Sequence, residues 1–147
     1  MIVRVKASRT LSISKTKTIK ESNDLQPDVI ILSAWSDRPV EQESWKFIAQ
    51  TLHVKSIVYV ACVGTFAEKL HDEIDEKFYQ LQDENQNTRL ATFITTHHDK
   101  ESLSDVVNYC LYATGKASQE DLTLLAILDA GMQMDRKLEK LLLEQWA

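Results

Sequence analysis

The sequence predicts an α/β domain of three layers: a mainly parallel sheet with helices on both faces, basic edge strands at the N-terminus and a long helix at the C-terminus. Two short apolar runs, Val29-Ile30-Ile31-Leu32 and Ile57-Val58-Tyr59-Val60-Ala61-Cys62-Val63, read as strands buried on both faces. Segments with apolar residues at helical spacing alternate with these runs, and right-handed strand–helix–strand crossovers turn that order into a parallel sheet. A chain of 147 residues, 44% hydrophobic and 27% charged, suits one domain over residues 1–147 with a proper core.

Taken in order, Ile2, Val3 and Val5, then Leu11, Ile13 and Ile19, alternate with basic and hydroxyl residues, the pattern of half-buried strands. Lysines on such strands guard a sheet edge against mispairing. Asn23 to Pro27 is a turn, and Val29–Leu32 is the next strand. Asp37-Arg38-Pro39 then looks like a helix start, with Asp37 as N-cap and Trp45, Ile48, Ala49 and Leu52 facing the sheet.

After the strand 57–63, Gly64-Thr65 turns into a helix whose inner face reads Ala67, Leu70, Ile74, Phe78 and Leu81. Residues 82–88 read as a polar loop and Leu90 to Ile94 as a strand. A helix over 100–114 follows, with Asp99 as cap, Leu103, Val106, Val107, Cys110 and Leu111 inward, and Gly115 as stop. Ser118-Gln-Glu-Asp121 resembles a capping box that opens a last helix reaching nearly to Ala147, loosened near Gly131. Leu122, Leu125, Leu128, Met132, Leu138, Leu142 and Trp146 would be its stripe.

Composition narrows the function classes. No apolar stretch approaches the ~18 residues of a membrane span, and the opening residues lack a signal-peptide pattern, so a cytoplasmic location is expected. Cys62 and Cys110 lack close spacing and suit buried thiols. Residues 1–20 carry six basic residues and no acid, while the remainder is −11, which together give the net charge of −5. An acidic body disfavours nucleic acid and favours a basic protein partner, or simply a solvated surface.

Familiar catalytic signatures are absent: three glycines make neither GxGxxG nor a P-loop, and there is no GxSxG or HExxH. No cofactor or metal is expected. What remains is a set of polar clusters where strands end, the edge at which open α/β sheets hold ligands. Gly64 and Thr65 offer backbone N–H groups to an anion, or Thr65 merely caps the helix. His71 and Asp75 lie four apart and meet on one helix face, with Asp72 beside them. Thr95-Thr96-His97-His98-Asp99 places hydroxyls next to imidazoles, which suits ligand binding or proton transfer; plain strand-end chemistry is the alternative. Neighbouring residues in an extended segment point to opposite sides, so one histidine of the two is expected to face the site. Ser33 to Arg38 lines the same edge, where Trp35 is a stacking wall, a contact anchor or a lid on the core.

Residues 57–112 resemble a family of small, uncharacterised bacterial proteins with a Cys-x-Gly strand end, a helical His-Asp-x-Ile-Asp and a Thr-Thr-Trp-His strand end. The matching residues are Cys62, Gly64, His71, Asp72, Ile74, Asp75, Thr95, Thr96 and His98, with His97 where the pattern has tryptophan. That resemblance brings no activity. It implies that His71, Asp72, Asp75, Thr95, Thr96 and His98 lie together in space.

Three functions follow as expectations. The first is a non-catalytic binding module, such as an immunity or antitoxin-type protein that neutralises a basic partner, with Trp35 and Trp146 as exposed anchors. The second is a small hydrolase or transferase for a phosphorylated or nucleotide-like ligand, with His98, His71 and Asp75 as catalytic candidates. Trp35, Asp37, Gly64, Thr65, Asp72, Thr95, Thr96 and His97 would bind the ligand. The third is a subunit whose long C-terminal helix makes a homodimer or docks on a larger assembly.

Overall fold

Alternation along each strand sorts the apolar side chains onto two faces of one sheet, and each face takes its own helices. A computed structural model describes residues 2–6, 9–15, 27–36, 57–84, 94–112, 122–128 and 132–147. Its elements are β1 (Ile2–Lys6), β2 (Arg9–Lys15), β3 (Val29–Ser33), β4 (Tyr59–Val63), α1 (Ala67–Glu84), β5 (Ile94–His98), α2 (Leu103–Tyr112), β6 (Leu122–Leu128) and α3 (Gln133–Gln145). The strand order is β1-β2-β6-β3-β4-β5. Only β1 runs antiparallel to its neighbour, and every other pairing is parallel. This is the expected mainly parallel α/β sheet with helices on both faces.

Leu11, Ile13, Val29, Ile31, Tyr59, Ala61, Val63, Leu122, Leu124, Ala126 and Leu128 form one face, where α2 and α3 bring Val106, Val107, Cys110, Leu111, Leu138, Leu142 and Trp146. Ile30, Leu32, Val60, Cys62, Leu125 and Ile127 form the other, against Ala67, Leu70 and Ile74 of α1. Both cysteines are free and buried. No helix among the described residues is long and apolar enough to cross a membrane.

The largest correction concerns the C-terminal third. Residues 122–128, read above as the start of a long helix, are β6, inserted between β2 and β3. The helix itself spans 133–145. A run of leucines with one alanine and one isoleucine fits a helix stripe and a doubly buried strand equally well, and the sheet's central vacancy decides for the strand. Trp146, expected as an exposed anchor, is 5% exposed in the core. Its indole N–H donates to the Arg9 carbonyl at 3.2 Å, and the Arg9 guanidinium sits 4.9 Å above its ring. Leu138, Leu142 and Trp146 pack inward, with Leu141 and Leu143 partly buried on the same core.

Smaller corrections follow. α1 continues through residues 82–84 instead of ending in a loop there. β5 begins at Ile94, so the Thr95–His98 cluster lies inside the strand and not after it. α2 is capped by Ser102, whose hydroxyl accepts from the Asp105 N–H at 3.2 Å, and not by Asp99. β2 is flanked on both sides, which leaves β1 and β5 at the sheet edges among the described residues. The expectations at Asn23, Asp37 to Leu52, residues 85–90, Gly115, Ser118–Asp121 and Gly131 lie outside the described residues.

Gly64 ends β4 with φ of +128°, in backbone space that side chains rarely adopt. A Cβ there would sit 2.6 Å from the Ala34 carbonyl oxygen and 3.0 Å from the Trp35 ring. Gly64→Ala is therefore expected to cost about 2–5 kcal/mol, the sum of backbone strain and overpacking. Urea denaturation of the variant measures it, and Thr65→Ala, at an exposed neighbour, should change little.

Candidate functional site

The carboxyl ends of β3, β4 and β5 are laced together by backbone bonds. Ala34 N–H donates to Val63 O at 2.7 Å, Gly64 N–H to His98 O at 3.0 Å and Phe66 N–H to Ala34 O at 2.9 Å. The three strand ends thus share one edge, as expected. The same bonds occupy the Gly64 amide, which removes it from the anion cradle that the sequence suggested. Thr65 is exposed beside it. α1 leaves β4 over one face and α2 leaves β5 over the other, so β5 carries a different polar cluster on each side.

On the α1 side, His71 is the hub. Its Nδ1 lies 3.0 Å from Asp72 Oδ1, and its Nε2 lies 3.1 Å from the Thr95 carbonyl and 3.6 Å from Asp75 Oδ2. The His97 ring meets it edge-on at 5.3 Å. Register explains the meeting: His97 pairs with Cys62 and shares its face, toward α1. His71, Asp72, Asp75, Thr95 and His97 are therefore brought together.

On the α2 side lies a second cluster that the sequence had merged with the first. Thr96 and His98 point away from His71, because residues two apart on a strand share a face and adjacent ones do not. The six residues expected together are split between the two faces: His71, Asp72, Asp75 and Thr95 on the α1 side, Thr96 and His98 on the α2 side. His98 Nε2 lies 2.8 Å from Thr96 Oγ1 and 3.0 Å from the Tyr59 hydroxyl, which also contacts Thr96 Oγ1. His98 Nδ1 faces Glu101 Oε1 at 3.4 Å. The Tyr109 ring of α2 closes the cluster at 5.5 Å from Tyr59 and 5.6 Å from His98.

One proton arrangement satisfies these contacts. A carboxylate accepts only, so in a neutral imidazole Nδ1 carries the hydrogen and Nε2 accepts. The shorter contact gives Nε2 the Thr96 proton, and Tyr59 then donates to the threonine oxygen. Burial holds the Tyr59 phenol neutral, well above its usual range, which keeps it a donor. Glu101 is held below the usual carboxylate range, first by its own backbone amide and further by His98.

Tyr59, Glu101 and Tyr109 were missed as site residues. Glu101 had a signal in its spacing of three from His98; Tyr59 sat inside an apolar run and gave none. Trp35, partly buried, packs on the α2–α3 side of the core and takes the lid role. Asp37 lies outside the described residues. Behind Trp35, the Ser33 hydroxyl donates to Asp135 Oδ2 at 2.7 Å, tying β3 to the first turn of α3, where the helix dipole also favours a carboxylate. Among the described residues no three His, Cys, Asp or Glu side chains are arranged to hold a metal ion.

A family model with the description "Domain of unknown function (DUF7684)" matches residues 8–145. No curated protein and no solved structure matches the chain.

Burial at this edge makes stability depend on alkaline pH. Desolvation pushes the Cys110 thiol up to about 12, and raises Cys62 and Tyr59 as well. Groups raised in the folded state stabilise it fully below their unfolded pKa, about 8.5 for a thiol, and lose that contribution as pH rises through the folded value. Urea midpoints should therefore hold steady to about pH 8.5 and then fall, by about 1.4 kcal/mol per pH unit for each group ionising only when unfolded. Cys110→Ala should make that fall shallower.

Proposed function

This chain belongs to that family, whose description names no activity, and we propose that it is a protein-binding module whose α1 face engages a basic partner. The observation that carries this reading is the exposed stripe Glu68, Asp72 and Glu76 on α1, ending at Tyr79, which is 68% exposed. Residues four apart stack on one helix face, so the stripe runs ~16 Å along the outside of the helix. Between 67 and 80 the helix carries five carboxylates against two lysines. A carboxylate row with a tyrosine at its end suits a basic surface, because the charges steer encounter and the ring supplies buried contact area. The −11 balance beyond residue 20 acts in the same direction. An immunity- or antitoxin-type role, in which this face covers a basic toxin domain, is the specific form we favour.

A second reading, acid–base chemistry at the β4–β5 edge, is favoured by one observation, the Thr96–His98–Glu101 contacts. Among the described residues the rim around them holds exposed Asp99, Glu101 and Asp105 against Lys100, which disfavours a phosphorylated ligand and favours an uncharged or cationic one.

Affinity capture from host extract at low salt, repeated with Glu68→Lys/Glu76→Lys, tests the first reading. The wild type should retain a stoichiometric basic protein that high salt releases, and the reversed stripe should slow its association at least about tenfold. A partner indifferent to the reversal, or none at all, would contradict it.

A further inference from the structure

We infer that Thr96 is an activated hydroxyl nucleophile, with His98 as its base and Glu101 as the residue that positions His98, acting on uncharged carboxylic esters. This rests on the second reading above, and adds the attacking atom and the substrate class. Nucleophile, base and orienting carboxylate stand in one line: Thr96 Oγ1 is 2.8 Å from His98 Nε2, and Glu101 is 3.4 Å from His98 Nδ1. The strand geometry builds the pair without a loop, because residues 96 and 98 are neighbours on one face of β5. Tyr59 touches the same nitrogen but is 4% exposed, whereas Thr96 is partly exposed at the sheet edge, where a substrate reaches it. Tyr109, 46% exposed, stands beside His98 and offers an apolar wall to an acyl or aryl group. The acidic rim excludes anionic substrates, which selects a neutral ester over a phosphate ester.

The step balances within these residues and the substrate. As Oγ1 bonds to the ester carbonyl carbon, its proton passes to His98 Nε2. The bond from that carbon to the leaving oxygen breaks, and the leaving group departs with the proton. A water deprotonated by the same nitrogen then hydrolyses the threonine ester and restores the hydroxyl.

The test uses the full chain with p-nitrophenyl acetate as probe, following release of nitrophenol and mapping acetyl groups by peptide mass spectrometry. Acetylation is expected on Thr96, retained in Thr96→Ser and lost in Thr96→Val. His98→Gln should lower the rate at least about a hundredfold. Glu101 is exposed, so Glu101→Gln folds; it should slow the reaction by lowering kcat with little change in KM, with Glu101→Asp restoring most of the rate. Thr123→Val, on β6 three strands away from β5, is the control and should react as the wild type does. Turnover that needs His98 but leaves Thr96 unmodified would overturn the nucleophile while the acid–base reading stands. Acetylation confined to lysines or His97, with rates unchanged in Thr96→Val and His98→Gln, would overturn both.

Discussion

Insertion of β6 between β2 and β3 is the constraint on which the rest of the structure depends. It sends Leu122, Leu124, Ala126 and Leu128 to one face and Leu125 and Ile127 to the other, none more than 4% exposed. Its first residues are held by Asp28, which accepts the Thr123 N–H on its side chain and donates its own amide to the Thr123 carbonyl. Without β6 the β1–β2 hairpin has no connection to the rest of the sheet among the described pairings. A strand that comes last in sequence yet sits at the centre makes the core depend on contacts far apart along the chain, and such contacts form at a high entropic cost.

The same topology produces the two-sided edge. The chain goes outward from β3 to β4 to β5 and then returns over the opposite face through α2 to reach the centre. α1 and α2 therefore flank β5 from opposite sides. The pleat distributes Thr95 and His97 to α1, and Thr96 and His98 to α2. One polar run on a strand thus serves two environments: an acidic helix face with His71 at its margin, and a part-buried relay under Tyr109. No side chain is shared between the two clusters, so the proposed binding face and the proposed chemistry lie on different faces of the sheet.

Much of this was legible in the sequence because the relevant patterns were unambiguous. Val29–Leu32 and Tyr59–Val63 are short apolar runs rich in β-branched residues and bounded by turn signals, and Ala67, Leu70 and Ile74 fall at helical spacing. The meeting of His71 with Asp75 also followed from helical spacing. Leu122–Leu128 was not legible, because its leucines satisfy both periods and only the neighbouring strands decide between them. The splitting of Thr95–His98 was half visible: alternation was foreseen, but with the strand placed too early the cluster was read as its end. Tyr59 reaches His98 from a different strand, and Asp135 reaches Ser33 across 102 positions; no local pattern encodes such pairings.

NMR of the labelled chain tests the position of β6 most directly. The account predicts extended-type carbon shifts through 122–128, with interstrand contacts from these amides both to residues 9–15 and to residues 29–32. Helical shifts running without a break from 122 into 133–145, with no contact to either strand, would contradict it and would dissolve the shared edge on which both sites stand.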